Sequence, residues 1–264
     1  MGHGDRWAVL GVAQDLFEVH FPKATTNESL VHACTKTVDE VGETTVVMFH
    51  YYPDGPDSLP IAFTSVLIDG GFVCQTAYSV LASHTPPAYG GVIDIQEDCR
   101  GIEGIVSIEV PDGPQLTFFA PWYPRDSQVY MDAKHIGVRF AALTYHVQAA
   151  DSPEFEIDAP PPFQDEDSPK SEKWTLTTGG MAAYFRGVWD DSFEDDFRFR
   201  TTVEDIREMS FQGVRIFVTE ATLVGVTPPV RSTFYIPESS LADGVTLKPG
   251  MDIEGSAWLQ GFLA

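Results

Sequence analysis

Residues 101–124 read GIEGIVSIEVPDGPQLTFFAPWYP, and the fold class follows from this stretch. On both sides of Pro111–Pro114, apolar and polar residues alternate with a period of two, which is typical of β-strands. Proline fixes φ near −65° and glycine accepts positive φ, so the Pro-Asp-Gly-Pro segment favours a tight turn. The stretch therefore predicts a β-hairpin.

Similar patterns occupy most of the chain. Residues 44–52 and 60–68 flank a second Pro-Asp-Gly-Pro turn at Pro53–Pro56. Asp69-Gly70 then leads into residues 71–81, and an Asp-Gly pair between alternating segments is a strong hairpin signal. Further strands are predicted at 91–96, 135–148, 173–178, 181–189, 197–201, 213–226, 230–236 and 251–263. The sequence therefore predicts a mainly β protein.

One helix is predicted near the N-terminus. Thr25–Glu28 has the form of a capping box, and apolar residues then recur near helical spacing, which predicts a helix over residues 26–41. A second capping box at Thr201–Glu204 predicts a short helix over residues 202–209.

The segment 151–172 divides the chain. It contains five prolines and eight acidic residues against one lysine, a composition that suits a linker or a long exposed loop. We therefore expect an N-terminal β-rich domain over residues 1–150, which includes the helix, and a C-terminal barrel-like domain over residues 173–264.

The two halves are similar in the order of their features. IEGIVSIEV at 102–110 is matched by FQGVRIFVT at 211–219, and LTFFAP at 116–121 is matched by STFYIP at 232–237. A duplication explains this order, but any two β domains share hairpins and prolines, so both explanations stay open. The expected architecture is two tandem small β-barrels or sandwiches of the OB-like kind, a likeness that carries no function.

The net charge of −23 restricts the classes of partner. Binding a phosphate backbone or an anionic membrane needs a basic face, so nucleic acid and membrane partners are disfavoured. The acidic excess either keeps the protein soluble or pairs with a basic partner. Three widely spaced cysteines fit a reduced compartment, and we expect a cytoplasmic protein.

The sequence shows no motif that assigns catalysis. Signatures of nucleotide binding, zinc proteases and serine hydrolases are absent, so we predict no cofactor, no catalytic residue and no metal ligand. WDDSFEDDF at 189–197 is acidic, but it lacks the spacing and central glycine of an EF-hand, and a solvated acidic turn explains it better. A histidine metal site would require convergence of side chains from separate predicted elements, namely His50, His84, His135 and His146.

Aromatic residues at strand ends are the candidates for binding. Trp122 and Tyr123 follow a predicted strand beside Arg125, and Phe234 and Tyr235 form the corresponding aromatic cluster of the second half. Such rings either pack in a core or line a protein interface. We predict that Trp122, Tyr123, Arg125 and Tyr235 contribute to a binding surface.

The function expected from these features is a non-enzymatic binding or adaptor module that engages a protein partner or a second copy of itself. One alternative is a hydrolase or other small-molecule enzyme with a carboxylate or metal site between the two halves, since ligand sites favour domain interfaces. Another is single-stranded nucleic acid binding by OB-like barrels, which requires a basic groove with aromatic platforms and is disfavoured by the charge.

Overall fold

The structure is a computed structural model that describes residues 10, 16–25, 29–38, 42–97, 101–150, 154–158, 173–177, 183–186 and 193–264. Strands dominate the described residues, where they form a four-stranded, a ten-stranded and a two-stranded sheet, so the predicted mainly β class is confirmed.

The N-terminal sheet contains four antiparallel strands that pair in chain order. Their bounds are β1 Leu30–Val38, β2 Gly42–Tyr51, β3 Ile61–Ile68 and β4 Gly71–Ser79. The two turns predicted from sequence connect β2 to β3 and β3 to β4. Asp69 and Gly70 both have positive φ, as a two-residue hairpin turn of the favoured twist requires.

The N-terminal helix is not where the capping box predicts it. Helix α1 is Phe21–Ala24, which follows a π-helical turn at Leu16–His20. The predicted helix over residues 26–41 is wrong in its described part, because Leu30–Val38 is strand β1. This segment pairs with β2 along its whole length, and its many β-branched residues suit a strand better than a helix.

The remaining strands are β5 Ala88–Glu97, β6 Gly104–Glu109, β7 Gln115–Phe119, β8 His135–Ala149, β9 Glu154–Asp158, β10 Lys173–Thr177, β11 Ala183–Arg186, β12 Asp196–Thr202, β13 Arg207–Phe211, β14 Val214–Val224, β15 Val230–Pro237 and β16 Asp252–Leu263. All except β9 and β10, which pair with each other, belong to a ten-stranded sheet in the order β11-β12-β16-β7-β6-β5-β8-β15-β14-β13. The helix predicted over 202–209 is also wrong, since 207–211 is strand β13.

A ten-residue helix, α2 Tyr123–Asp132, connects β7 to β8. The sequence patterns considered above do not predict it. No helix in the described part of the chain has the length and apolar character needed to cross a membrane.

The ladder between β8 and β16 is the centre of the larger sheet. These strands pair antiparallel from Val138 and Leu263 to Ala149 and Ile253. The other edge of β8 pairs first with β5 and then with β15. The other edge of β16 pairs with β12 and, at Gln260, with β7. Starting from β5, the pairings therefore run to β6, β7, β16 and β8 and then back to β5. We call these five strands the returning ladder.

Strands from both sides of the segment 151–172 meet in this sheet, because β8 pairs directly with β15 and β16. The division into domains 1–150 and 173–264 stays a prediction. The pairing shows that each proposed domain contributes strand edges to the other.

The described residues form three hydrophobic clusters, of which two are large. One is centred on the strands of the returning ladder, with Val106, Phe118 and Phe140, and extends to β12, β14 and β15. The second joins the two sheets, where the Phe119 ring lies 4.8 Å from that of Tyr78 between ring centroids. The chain segment between the sheets is fixed by buried Gln260 of β16, whose Oε1 accepts from the N–H of Leu81 at 3.0 Å and whose Nε2 donates to the carbonyl of Ser79 at 2.6 Å.

At Gly255, the backbone of β16 approaches the backbone of β8 closely. A Cβ at this position would collide with the carbonyl oxygen of His146 on β8. We expect Gly255→Ala to lower the free energy of unfolding by about 2 to 3 kcal/mol in urea denaturation, because backbone cannot yield as a side chain can.

Gly71 is the matched control, since a Cβ there would lie in ordinary contact, 3.7 Å from the carbonyl oxygen of Ile68. Gly71→Ala should change stability by less than about 1 kcal/mol. Equal stability of the Gly255→Ala and Gly71→Ala proteins would contradict the close approach of β16 to β8.

The shared sheet also predicts the behaviour of fragments. Residues 173–264 expressed alone should lack stable structure, because β15 and β16 lose the edges of β8. Co-expression with residues 1–150 should restore a folded complex, detected by amide dispersion in NMR spectra. A well-dispersed spectrum of 173–264 alone would instead establish an independent C-terminal domain.

Candidate functional site

Trp122 lies at a corner where the chain leaves β7 and enters α2. Pro124 occupies the first turn of the helix, where its missing N–H costs no hydrogen bond. The carbonyl of Trp122 accepts from the N–H groups of Arg125 and Asp126, each at 2.9 Å. The backbone of Trp122 is therefore fixed by the start of the helix, and its indole is half-buried.

His50 of β2 packs against this indole. The two ring centroids are 4.5 Å apart with an interplanar angle of 41°. His50 is only 8% exposed, and its buried Nε2 has no hydrogen-bond partner among the described residues. Burial and, to a lesser degree, the charge of Arg125 lower the pKa of His50 to about 4. The imidazole is therefore neutral at pH 7.

Arg125 is the second contact of the indole. Its guanidinium carbon lies 4.6 Å from the centroid of the Trp122 ring, which is a cation–π distance. Two hydrogen bonds to Asp126 hold the guanidinium, from Nε to Oδ1 at 2.6 Å and from Nη2 to Oδ2 at 2.8 Å. The hydrogen bond to Asp126 raises the pKa of Arg125, whose side chain is 43% exposed.

The structure separates the four residues that the sequence singles out. Trp122 and Arg125 lie together at the surface. Tyr123 is fully buried, and its hydroxyl donates to Oε1 of Glu97 at 2.6 Å. Tyr235 is also buried, and its hydroxyl donates to the carbonyl of Ala82 at 2.9 Å. Tyr123 and Tyr235 are thus packing residues, and their rings offer no exposed surface to a partner in this conformation.

Sequence reasoning missed the part of the site that comes from the N-terminal sheet. His50 and Tyr52 follow each other at strand spacing, and their ring centroids are 6.4 Å apart. Tyr52 is 41% exposed. The alternation of Met48, His50 and Tyr52 on one face of a strand is the signal that could have identified them.

The site is better built for contact than for proton transfer. The Nε2 atom of His50 is buried, so a substrate would not reach it without displacement of the ring. The charge of Arg125 is already matched by Asp126. What the arrangement offers to solvent is one indole held in a fixed orientation by two neighbours.

The acidic segment 189–197 is described only from residue 193 onward. Asp195 and Asp196 are buried. Asp195 accepts from the indole N–H of Trp258 at 2.5 Å, and Asp196 accepts from the hydroxyl of Tyr145 at 2.8 Å. These carboxylates therefore tie β12 to β16 and β8, which is a different arrangement from the solvated turn expected for the segment.

Within the described ranges, no three His, Cys, Asp or Glu side chains are grouped closely enough to hold a metal ion. Among the four histidines considered from sequence, His50 is buried whereas His135 and His146 are exposed. The structure does not bring these three together.

Comparison with family models, with curated proteins and with solved structures finds no match.

The burial of His50 predicts a pH dependence of stability. The pKa is about 4 in the folded protein and about 6.5 when unfolded, so the unfolded chain binds more protons between these values. The contribution of His50 to stability is therefore complete above pH 6.5 and is lost as the pH falls toward 4. The loss amounts to about 3 kcal/mol.

The measurement is urea denaturation at steps from pH 7.5 to pH 4 for the wild type and for His50→Gln, which cannot be protonated. The difference in unfolding free energy between the two proteins should change by about 3 kcal/mol between pH 6.5 and pH 4. Gly71→Ala, which removes no ionisable group, provides the control and should run parallel to the wild type. Parallel curves for His50→Gln would show that His50 is not desolvated.

Proposed function

We propose that the protein is a non-enzymatic binding module that engages a basic protein partner through α2 and the indole before it. The Trp122 surface is defined as Trp122, Arg125, Gln128 and Val129, which follow one another at helical spacing. The observation that carries the proposal is the half-buried indole of Trp122, whose ring centroid lies 4.5 Å from that of His50 and 4.6 Å from the guanidinium carbon of Arg125.

A ring that is already oriented loses little conformational freedom when a partner covers it. Tryptophan and arginine are the residues most enriched among those that dominate binding energy at interfaces. Trp122 and Arg125 are neighbours here, and both are accessible in part.

The rest of the exposed side of α2 has the composition of an interface. Val129 is 48% exposed and Met131 is 54% exposed. Gln128 and Asp132 border them, joined by a hydrogen bond of 2.8 Å from Nε2 to Oδ2. An apolar centre with a polar rim is the usual organisation of a protein–protein contact.

The charge supports a basic partner. The chain has a net charge of −23, which steers a basic protein toward it and slows the approach of an acidic one. The same charge opposes association of two copies at low salt. Self-association and a cytoplasmic location stay predictions.

We also infer that the returning ladder of β5, β6, β7, β16 and β8 is a small barrel of the OB-like kind. Its support is the order of elements, with a three-stranded meander, helix α2 between the third and fourth strands, and a last strand parallel to the third. Only one residue pair, Gln260 with Phe119, joins β16 to β7.

This arrangement does not favour the nucleic acid alternative. In barrels of this kind the second and third strands form the ligand face. Here Phe119, at the end of the third strand, is buried against Tyr78 of the N-terminal sheet. The chain's own sheet therefore covers this face near Phe119. For the alternative of an enzyme with a metal site, the described ranges contain no group of three or more His, Cys, Asp or Glu side chains that could hold the ion.

The test uses the full chain, immobilised and exposed to native lysate at low salt. We expect a basic protein that leaves as the salt rises, because exposed charges are screened within about 10 Å at 0.1 M salt. The affinity of that protein is then measured with the wild type and with Trp122→Ala, which should raise Kd at least tenfold.

Phe17 provides a matched control, since it is an aromatic residue 55% exposed on the π-helical turn far from α2 in sequence. Phe17→Ala should leave Kd within about twofold. Arg125→Gln tests the surface without removing the indole. The proposal is contradicted if the wild-type chain retains no protein, or if every protein that it retains is also retained by the Trp122→Ala chain.

A further inference from the structure

Lys134, His135 and Arg139 form a local group of cationic or imidazole side chains in this acidic chain. Several arginines form ion pairs with carboxylates, namely Arg125, Arg200, Arg215 and Arg231. Lys134, His135 and Arg139 are exposed, and their side chains form no ion pair or hydrogen bond within the part of the chain that the structure describes. His135 and Arg139 belong to the first part of β8, and Lys134 directly precedes this strand.

An exposed ring lies between two of these side chains. Tyr89 of β5 pairs directly with Gly137 of β8 and is 66% exposed. The absence of a side chain at Gly137 gives the ring its place, since a Cβ there would be 2.9 Å from Cε1 of Tyr89. His135 and Arg139 lie on the same face of β8, two residues before and after the glycine.

We propose that the Tyr89 surface, defined as Tyr89, Lys134, His135 and Arg139, binds an extended acidic peptide segment of a partner protein. A proline or aromatic ring of the peptide packs on Tyr89. A carboxylate on one side of that ring pairs with Arg139, and a carboxylate on the other side pairs with Lys134 and accepts from His135. This proposal does not depend on the Trp122 surface, which lies on α2.

The spacing of the surface fits an extended peptide. His135 and Arg139 are four residues apart on a strand, which corresponds to about 13 Å. An extended peptide repeats its side chains on one face about every 7 Å, so carboxylates two residues before and after a central ring are separated by the same distance. A ring at the centre then faces Tyr89.

Charge favours a peptide over a nucleic acid at this surface. A phosphate backbone carries a charge at every nucleotide and is repelled by a chain of net charge −23. A peptide with two carboxylates engages only the local cations. Gly91 of β5 pairs with His135 on one side and with Glu109 of β6 on the other. An acidic residue therefore borders the Tyr89 surface next to His135. The cationic area is thus too short for a polyanion.

The experiment uses the full chain and a blocked, fluorescent heptapeptide with aspartate at its second and sixth positions, phenylalanine at its fourth and threonine elsewhere. Binding is measured by anisotropy. We expect saturable binding with Kd below about 1 mM that weakens when salt is raised from about 0.05 to 0.3 M. Arg139→Gln and Tyr89→Ser should each weaken it at least fivefold.

Lys248 is a matched control, because it is an exposed cation without an ion pair in the described residues and lies far from β8 in sequence. Lys248→Gln and Trp122→Ala should bind the peptide as the wild type does. Failure of this proposal is therefore distinguishable from failure at the Trp122 surface. Melting temperatures of all variants establish that each is folded.

Three results would overturn the proposal. The first is absence of saturable binding by the folded wild type. The second is equal affinity for a heptapeptide with asparagine in place of both aspartates. The third is tighter binding of a seven-nucleotide oligothymidylate that Arg139→Gln abolishes, which would assign the surface to single-stranded nucleic acid.

Discussion

The antiparallel ladder between β8 and β16 is the interaction on which the other pairings of the larger sheet depend. Each of the two strands uses one edge for its partner and divides the other edge between two further strands. A slip of one residue would move Val138 and Phe140 from the core to the outer face. The register is fixed beside the irregularity between Ser256 and Ala257, where Gly255 lets the backbone of β16 approach β8.

That ladder also explains why Trp122 reaches the surface. It places Gln260 against Phe119 and so fixes the end of β7. The corner that follows is held on both sides of the indole, since Tyr78 donates to the carbonyl of Pro121 at 2.7 Å and the buried Tyr123 packs on Gly104. Because its two chain neighbours are committed to the core, the intervening side chain is directed to the boundary with solvent.

The predictions that hold depend on local chemistry. The hairpin at Pro111–Pro114 and the strands of 135–148 and 251–263 follow from period-two patterns and turn residues, which act within a few residues. Both capping boxes fail, because a capped start does not make a helix when the segment gains more by pairing, as 30–38 does with β2. Trp122 and Arg125 are visible as unusual residues at a strand end, but the contact with His50 joins segments distant in sequence and has no local signal.

The Trp122 and Tyr89 surfaces present a ring by different means, and the difference has consequences. Tyr89 rests on Gly137, which has no side chain. Trp122 rests on His50, whose neutral form is maintained by burial and by the charge of Arg125. A positive charge on His50 is unfavourable in this buried site, so acid destabilises the folded state in which the imidazole packs against the indole. Acid therefore acts on the packing of Trp122 through a residue that no partner needs to contact.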